Sequence, residues 1–360
     1  VSVNDPFWSV HMTPDQDTGE ALGRVPGLDL ERLRAFLDRG DPGLVTGSLR
    51  AELIAGGRSN LTYVVGDGSR EWVVRRPPLG HVLATAHDMA REHRVMSALA
   101  GTPVPVPRTY GLCEDVQVLG APFYLMERVD GVVYRDAAQT GALGPERARA
   151  ISLDLISVLA RLHAIDPAEV GLTGFGRPEG YLERQVGRWG KQLAASRSRD
   201  IEGAEELGSM LAGSIPVTQR HAIVHGDYKL DNVIVGPGDT GDAVAAVVDW
   251  EMATLGDPLS DLGLLRLYWD GFDELVDRPV RPEFGFPPGA ELLRHYEKLS
   301  GLDLSPLPWY EAFACFKLAV ISEGIYFRHR QGKTVGEGFG EIGDMVAPLM
   351  ARGLATLERS

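Results

Sequence analysis

The loop His225-Gly226-Asp227-Tyr228-Lys229-Leu230-Asp231-Asn232 gathers a carboxylate, an ammonium and a carboxamide into one short stretch. Transfer of a γ-phosphoryl group asks little covalent chemistry of a protein. It needs phosphates held in line, metal to neutralise developing charge, and a carboxylate to orient the attacking hydroxyl. Asp227 is the natural carboxylate to accept the substrate proton, Lys229 supplies a point charge near the γ-phosphate, and Asn232 offers an uncharged oxygen to a metal ion. Apolar runs on either side, Ala222 to Val224 and Val233 to Val235, anchor the turn. A second apolar stretch, Ala243 to Val248, ends at Asp249, and an Asp at the end of a buried strand is a hard-oxygen ligand for Mg2+.

HGDYKLDN, followed by VVDWE and GDPLSDLG, resembles the signature of the aminoglycoside phosphotransferase-like family within the protein-kinase-like superfamily. Chance supplies H-G-D-x-x-x-x-N in a chain of this length with odds on the order of one in a thousand. The resemblance, which runs from about Pro42 onward, implies an α+β, bilobal protein-kinase-like fold: a small antiparallel-sheet N-lobe and a larger, mainly helical C-lobe. It implies ATP and Mg2+ as cofactors, Asp227 as catalytic base, and Asn232 and Asp249 as magnesium ligands. Asp257 and Asp261 then have supporting roles, one capping a helix and the other bracing the catalytic loop.

The elements that would hold a nucleotide lie upstream. Gly56-Gly57-Arg58-Ser59-Asn60 separates two strand patterns, where the family has a phosphate-covering hairpin. Gly57 permits close backbone approach, while Ser59 and Asn60 position hydrogen bonds. On the next strand, Trp72 to Arg76, alternation sends Val74 and Arg76 to one side and Val73 and Arg75 to the other. Matching the family places Arg75 where many kinases carry Lys; the charge is kept but the reach and pairing geometry differ. Glu92 is the best carboxylate on the following helix to pair with it. The family's adenine contacts are backbone groups at the end of the last strand, which here fall at Glu127 and Val129.

Strand patterns cover Leu49 to Ile54, Leu61 to Val65, Trp72 to Arg76, Thr109 to Cys113 and Phe123 to Val129, with Gly66-Asp67-Gly68 as a hairpin turn. One helix, about Ala86 to Leu99, interrupts them and stops at Gly101 and the Pro-rich run that follows. Beyond Gly131 the pattern is mostly helical: Pro145 to His163, Gly180 to Ala195, Asp257 to Trp269, Pro288 to Leu299, Trp309 to Arg328 and Gly336 to Leu357. The expected organisation is an N-terminal extension with a helix over residues 1–41, a nucleotide-binding N-lobe over 42–129, and a catalytic and substrate-binding C-lobe over 130–360.

The chain has 360 residues, 44% of them hydrophobic and 24% charged, which suits a two-lobed folded protein rather than a disordered one. Its 36 Lys and Arg against 50 Asp and Glu give a formal charge of −14, which argues against a non-specific grip on nucleic acid or anionic lipid. Cys113 and Cys315, each in an apolar stretch, read as buried core thiols. There is no signal-peptide pattern and no apolar run near the roughly 20 residues that span a bilayer, so a cytoplasmic protein is expected.

The acceptor is expected to be a hydroxylated small molecule bound beside Asp227. The stretch from Trp250 to Gly285 carries eight acids against three arginines, a balance that favours a cationic acceptor such as an aminoglycoside. It also holds Tyr268, Trp269, Phe272 and Phe284, which could line an apolar acceptor site. The segment VVRRPPLGHVLATAHDMAREHRVMSAL resembles a branch similar to the kinase-like portion of certain large acyl-CoA dehydrogenase fusion proteins. That resemblance suggests a hydroxylated acyl thioester or related metabolite. Arg75 in place of the strand Lys keeps a second reading open, a nucleotide-binding module without turnover.

Overall fold

In a computed structural model, which describes residues 25–56, 60–79, 88–196, 198–238, 241–271, 279–332 and 340–359, the chain divides into two compact units. The described part of the first runs from Val25 to Gly131 and takes in Ala245–Glu251. Its sheet contains β1 (Arg50–Gly56), β2 (Leu61–Gly66), β3 (Glu71–Arg76), β4 (Thr109–Cys113) and β5 (Phe123–Glu127) in the order β1-β2-β3-β5-β4. Every pairing is antiparallel, and β3 is the central strand. Arg75 therefore does not sit on a solvated edge.

Strand alternation divides the side chains between two faces. Tyr63, Val65, Trp72, Val74, Phe123 and Leu125 form one face and are buried together with Leu33 and Leu37 of α1 (Leu30–Gly40). The helix expected before Pro42 is thus part of the sheet unit's core. Asp29 starts it by accepting the Glu31 and Arg32 amides. Arg76 lies on this side, donating to the Leu119 carbonyl at the end of the short α3 (Val116–Leu119), whereas Arg75 lies on the other, toward α2 (Met89–Leu99). Asp88 caps α2 by accepting the Arg91 amide; the expected start at Ala86 lies outside the described residues.

Between β2 and β3, Asp67 builds the turn. Its Oδ1 accepts the Ser69 and Arg70 amides, each at 2.8 Å, and its Oδ2 accepts the Thr46 amide and hydroxyl at 2.8 and 2.9 Å. One carboxylate thus closes the hairpin and stitches it to the segment leading into β1.

The second unit covers the described residues of 132–244 and 252–360. Its helices are α4 (Ala137–Gly141), α5 (Pro145–Ala164), α6 (Tyr181–Ser196), α7 (Ala204–Gly213), α8 (Leu259–Asp270), α9 (Gly289–Ser300), α10 (Leu307–Arg330) and α11 (Val346–Glu358). α10 packs against α6, α8 and α11, and is accordingly apolar on nearly every side. The expected helix from Gly336 begins later: residues 336–339 lie outside the described residues, Glu341–Met345 form a 3-10 turn, and α11 follows. Short strands β6 (Ala222–Val224) and β9 (Thr254–Gly256) pair antiparallel, and β7 (Val233–Gly238) and β8 (Gly241–Val247) form a two-stranded ribbon. The catalytic-loop sequence connects β6 to β7. Cys113 and Cys315 are buried and unbridged. Among the described residues, no helix is long and apolar enough to cross a membrane.

Candidate active site

The loop after β6 turns at Gly226, whose φ is 86° and where a Cβ would lie 2.7 Å from the Met252 carbonyl oxygen. Only glycine takes that conformation in that space without strain. Asp261, from the first turn of α8, holds the turn from beneath: Oδ2 accepts the His225 amide at 2.6 Å and Oδ1 the Gly226 amide at 2.7 Å. His163 contacts the same carboxylate through Nε2 at 3.2 Å and Tyr296 through Nδ1 at 2.7 Å. Burial alone would raise the Asp261 carboxyl, but the contact with His163, the nearby His225 ring and the Gly226 amide together hold it below its ordinary value. Asp257 accepts the Leu259 amide and the Tyr310 hydroxyl. Asp261 thus braces the loop as expected, while Asp257 supports the start of α8 from one position before its N-cap, Pro258, and does not occupy the cap itself.

Asp227 emerges from this braced turn with its side chain 14% exposed. Asn232 Nδ2 donates to the Asp227 carbonyl at 2.8 Å and to Oδ2 at 3.0 Å, Lys229 Nζ stands 3.6 Å from Oδ2, and Tyr268 Oη donates to Oδ1 at 3.2 Å. Lys229 also pairs with Asp231 at 3.1 Å and lies 4.9 Å from the centre of the Tyr268 ring. Burial by itself would lower the Lys229 ammonium, but Asp227 and Asp231 outweigh it and keep the group charged. The Asn232 amide nitrogen faces Asp227, which leaves its carbonyl oxygen as a donor suited to a hard cation. The structure thus brings Asp227, Lys229 and Asn232 together, and adds Tyr268, which the sequence marked only as one aromatic among several.

In the sheet unit, Arg75 lies between two acids, with Nε 3.1 Å from Glu92 Oε2 and Nη2 2.5 Å from Asp249 Oδ1. Glu92 is 1% exposed and also accepts from Tyr124 Oη at 2.9 Å and Asn60 Nδ2 at 3.0 Å. Burial pushes the Glu92 carboxyl up from its ordinary range, against the pull of Arg75. On Arg75 itself, desolvation is outweighed by Glu92 and Asp249, so the guanidinium stays charged. The pairing expected of Glu92 is therefore with Arg75 and not with Arg91 or Arg94. Asp249 is the sole non-glycine residue with positive φ among the described residues, at 64°. Backbone in this region costs energy and clusters where a side chain must be aimed. Its Oδ2 is the oxygen that Arg75 does not engage.

Asn60 bridges Glu92 and, at 3.3 Å, Glu251, the carboxylate that closes the VVDWE string and that its position in the sequence marked only as one acid of the Trp250 to Gly285 stretch. Gly57 and Ser59 lie outside the described residues. Glu127 ends β5 with its side chain exposed and accepting the Arg108 amide, and Val129 lies two residues beyond, just before the passage to the helical unit at Gly131–Val132.

Of the five described acids between Trp250 and Gly285, four make contacts within the protein, and Glu283 is exposed. Asp257 and Asp261 face inward, Asp270 contacts Arg266 and accepts the Gly289 amide, and Glu251 meets Asn60. Asp273, Glu274 and Asp277 lie outside the described residues, as does Phe272. Trp269 is no acceptor wall: it is 3% exposed, packs edge-on against Phe286 and donates to the Pro287 carbonyl.

A sheet unit with a central-strand cation clasped by a helix glutamate, and a helical unit presenting a braced HGD loop, define a kinase-like phosphotransferase. The chain belongs to the phosphotransferase enzyme family, whose model matches residues 50–302. It is 34% identical over 361 residues to acyl-CoA dehydrogenase family member 11 of Rattus norvegicus, covering 98% of this chain and 46% of that protein. It is 38% identical over 283 residues to family member 10 of Mus musculus, covering 77% and 26%. The chain spans about half, or less, of the length of these curated relatives. Among solved structures, a candidate aminoglycoside phosphotransferase from Ralstonia eutropha superposes with a TM-score of 0.80 at 33% identity, covering 92% of this chain and 98% of that one. A thermostable aminoglycoside phosphotransferase mutant, solved as a ternary complex with AMP-PNP and hygromycin B, gives 0.58 at 17% identity over 91% and 97%, a likeness of fold alone. The family resemblance read from the motifs therefore holds, including the branch shared with acyl-CoA dehydrogenase fusions.

Proposed function

We propose that the chain transfers the γ-phosphoryl group of ATP to a hydroxyl of a small molecule in a Mg2+-dependent reaction of the cytoplasm. The observation that carries this reading is the Asp227 carboxylate, partly exposed and oriented at once by Asn232, Lys229 and Tyr268. The acceptor oxygen bonds to the γ-phosphorus as the bond to the bridging oxygen breaks, ADP leaves, and the hydroxyl proton passes to Asp227. Lys229 and Arg75 steady the phosphates, and backbone groups at Glu127 and Val129 meet the adenine edge; the phosphate cover expected of Gly57, Ser59 and Asn60 is part of the same reading. Asn232 and Asp249 supply the protein oxygens for Mg2+, which when bound offsets phosphate charge.

Because most described acids of the Trp250 to Gly285 stretch serve internal contacts, little supports a cationic acceptor. Similarity to acyl-CoA dehydrogenase family members 10 and 11 favours a hydroxylated acyl thioester or related metabolite over an aminoglycoside. The test is transfer of label from γ-labelled ATP to hydroxyacyl thioesters, with kanamycin in parallel. Label entering neither acceptor, or Asp227→Asn matching wild type, would sink the reading. A second reading, nucleotide binding without turnover, draws on the Arg75 contact that occupies one oxygen of Asp249. It predicts stabilisation by Mg·ATP with no labelled product.

A further inference from the structure

The catalytic loop has a second clamp, contributed by a helix that its sequence neighbourhood does not reveal. α10 buries Phe313, Ala314, Cys315, Phe316, Leu318 and Ala319, yet carries Lys317 among them. A lysine in such surroundings is costly, and burial lowers its ammonium from the ordinary value despite the attraction of Asp227 and Asp261. It forms no ion pair with the described residues to offset that cost. Its Nζ donates instead to the Gly226 carbonyl at 2.8 Å and lies 5.8 Å from the centre of the Trp189 ring on α6.

That carbonyl belongs to the peptide joining Gly226 to Asp227. The amide end of the same peptide donates to His225 Nδ1 at 3.3 Å. A glycine at φ 86° has no side chain to resist rotation of this plane, so its orientation depends on what holds its two ends. Asp261 fixes only the two preceding amides. The direction of the Cα–Cβ bond of Asp227 follows from this plane, which Lys317 holds at the carbonyl end and His225 at the amide end.

We propose that Lys317 is a positioning residue for phosphoryl transfer, locking the Gly226–Asp227 peptide so that the Asp227 carboxylate points at the acceptor oxygen. The proposal rests on Asp227 being the base, so the experiment separates the two. Crystal structures of wild type and Lys317→Met are compared, and Mg·ATP turnover is measured with water as acceptor for both, for Lys317→Arg and for Asp227→Asn. In Lys317→Met the Gly226 carbonyl should turn away and the Asp227 contacts to Asn232 or Tyr268 should break. Its kcat should fall about a hundredfold, with KM for ATP within about twofold of wild type. Lys317→Arg, which keeps a donor, should restore part of the rate. An unmoved Gly226–Asp227 peptide in Lys317→Met overturns the proposal whatever the rate, as does a rise in KM at constant kcat. If Asp227→Asn turns over like wild type, the base assignment fails, while the peptide orientation still decides the clamp. Should the Met variant not fold, Lys317→Leu is read by the same criteria.

Discussion

Tyr268 Oη donates to Oδ1 of Asp227 over 3.2 Å, on the opposite carboxylate oxygen from Asn232. Burial and the Asp227 charge push the phenol well above its ordinary value, so it remains a donor throughout the working range. Tyr268→Phe keeps the ring beside Lys229 and removes only the hydroxyl. A hydrogen bond to a charged group contributes about 1.5 to 3 kcal/mol, so kcat should fall roughly tenfold to a hundredfold. Unchanged Mg·ATP affinity by calorimetry, alongside that loss, is the expected signature; unchanged kcat would remove Tyr268 from the site.

Arg75 contacts Glu92 and Asp249, with side-chain exposures of 11%, 1% and 22%. Removing one partner of a buried pair leaves the other charged and unpaired, at a cost of about 3 kcal/mol or more. Arg75→Met should therefore lower stability by that amount in urea unfolding. Arg75→Met/Glu92→Gln should lose less than the two single changes added, because the stranded carboxylate is gone. Additive losses would show that the two side chains do not interact energetically.

Asp67 predicts a pH dependence whose sign is fixed by its contacts. The amides of Thr46, Ser69 and Arg70 hold its carboxyl well below the ordinary value, against a smaller opposing effect of burial. The folded state thus favours the ionised form. Its contribution is complete above the unfolded carboxyl pKa of about 4 and is lost as pH falls below it. In thermal melts, Asp67→Ala should be less stable than wild type near neutrality, and the gap should close in acid. A gap that widens as the pH falls contradicts this linkage.

The residues legible in sequence were those whose meaning is local. Asp227 and Asn232 share one loop, Asp249 ends an apolar run, and alternation along Glu71–Arg76 separated Arg75 from Arg76. What escaped was brought in by packing. Tyr268 and Lys317 reach the loop from 41 and 91 residues downstream, and nothing in their own neighbourhoods says where α8 and α10 will lie. Lys317 did leave a trace, a single cation within the mainly apolar run from Phe313 to Val320. Charge counting over Trp250 to Gly285 does not by itself name the acceptor, because a carboxylate that braces a turn counts equally with one facing solvent. The helices α3, α4 and α7 were missed because they are short and lack a sustained apolar period.

Asp249 combines a charge with a backbone conformation, and three substitutions separate them. Asparagine tolerates positive φ and keeps an oxygen but loses the charge; glycine tolerates φ and loses the side chain; alanine loses the side chain and pays the left-handed steric cost. All three leave Arg75 without one acid, so that loss cancels when they are compared with one another. Asp249→Ala should then be less stable than Asp249→Gly by about 1 kcal/mol, the reverse of the usual order outside this region. Stabilisation by Mg·ATP should be lost in the glycine and alanine variants and weakened in Asp249→Asn, read as the ligand-induced rise in Tm. If alanine proves as stable as glycine, the positive φ is not a feature of the folded protein. If Mg·ATP stabilises all three as it does wild type, Asp249 is not a metal ligand, whatever its backbone does.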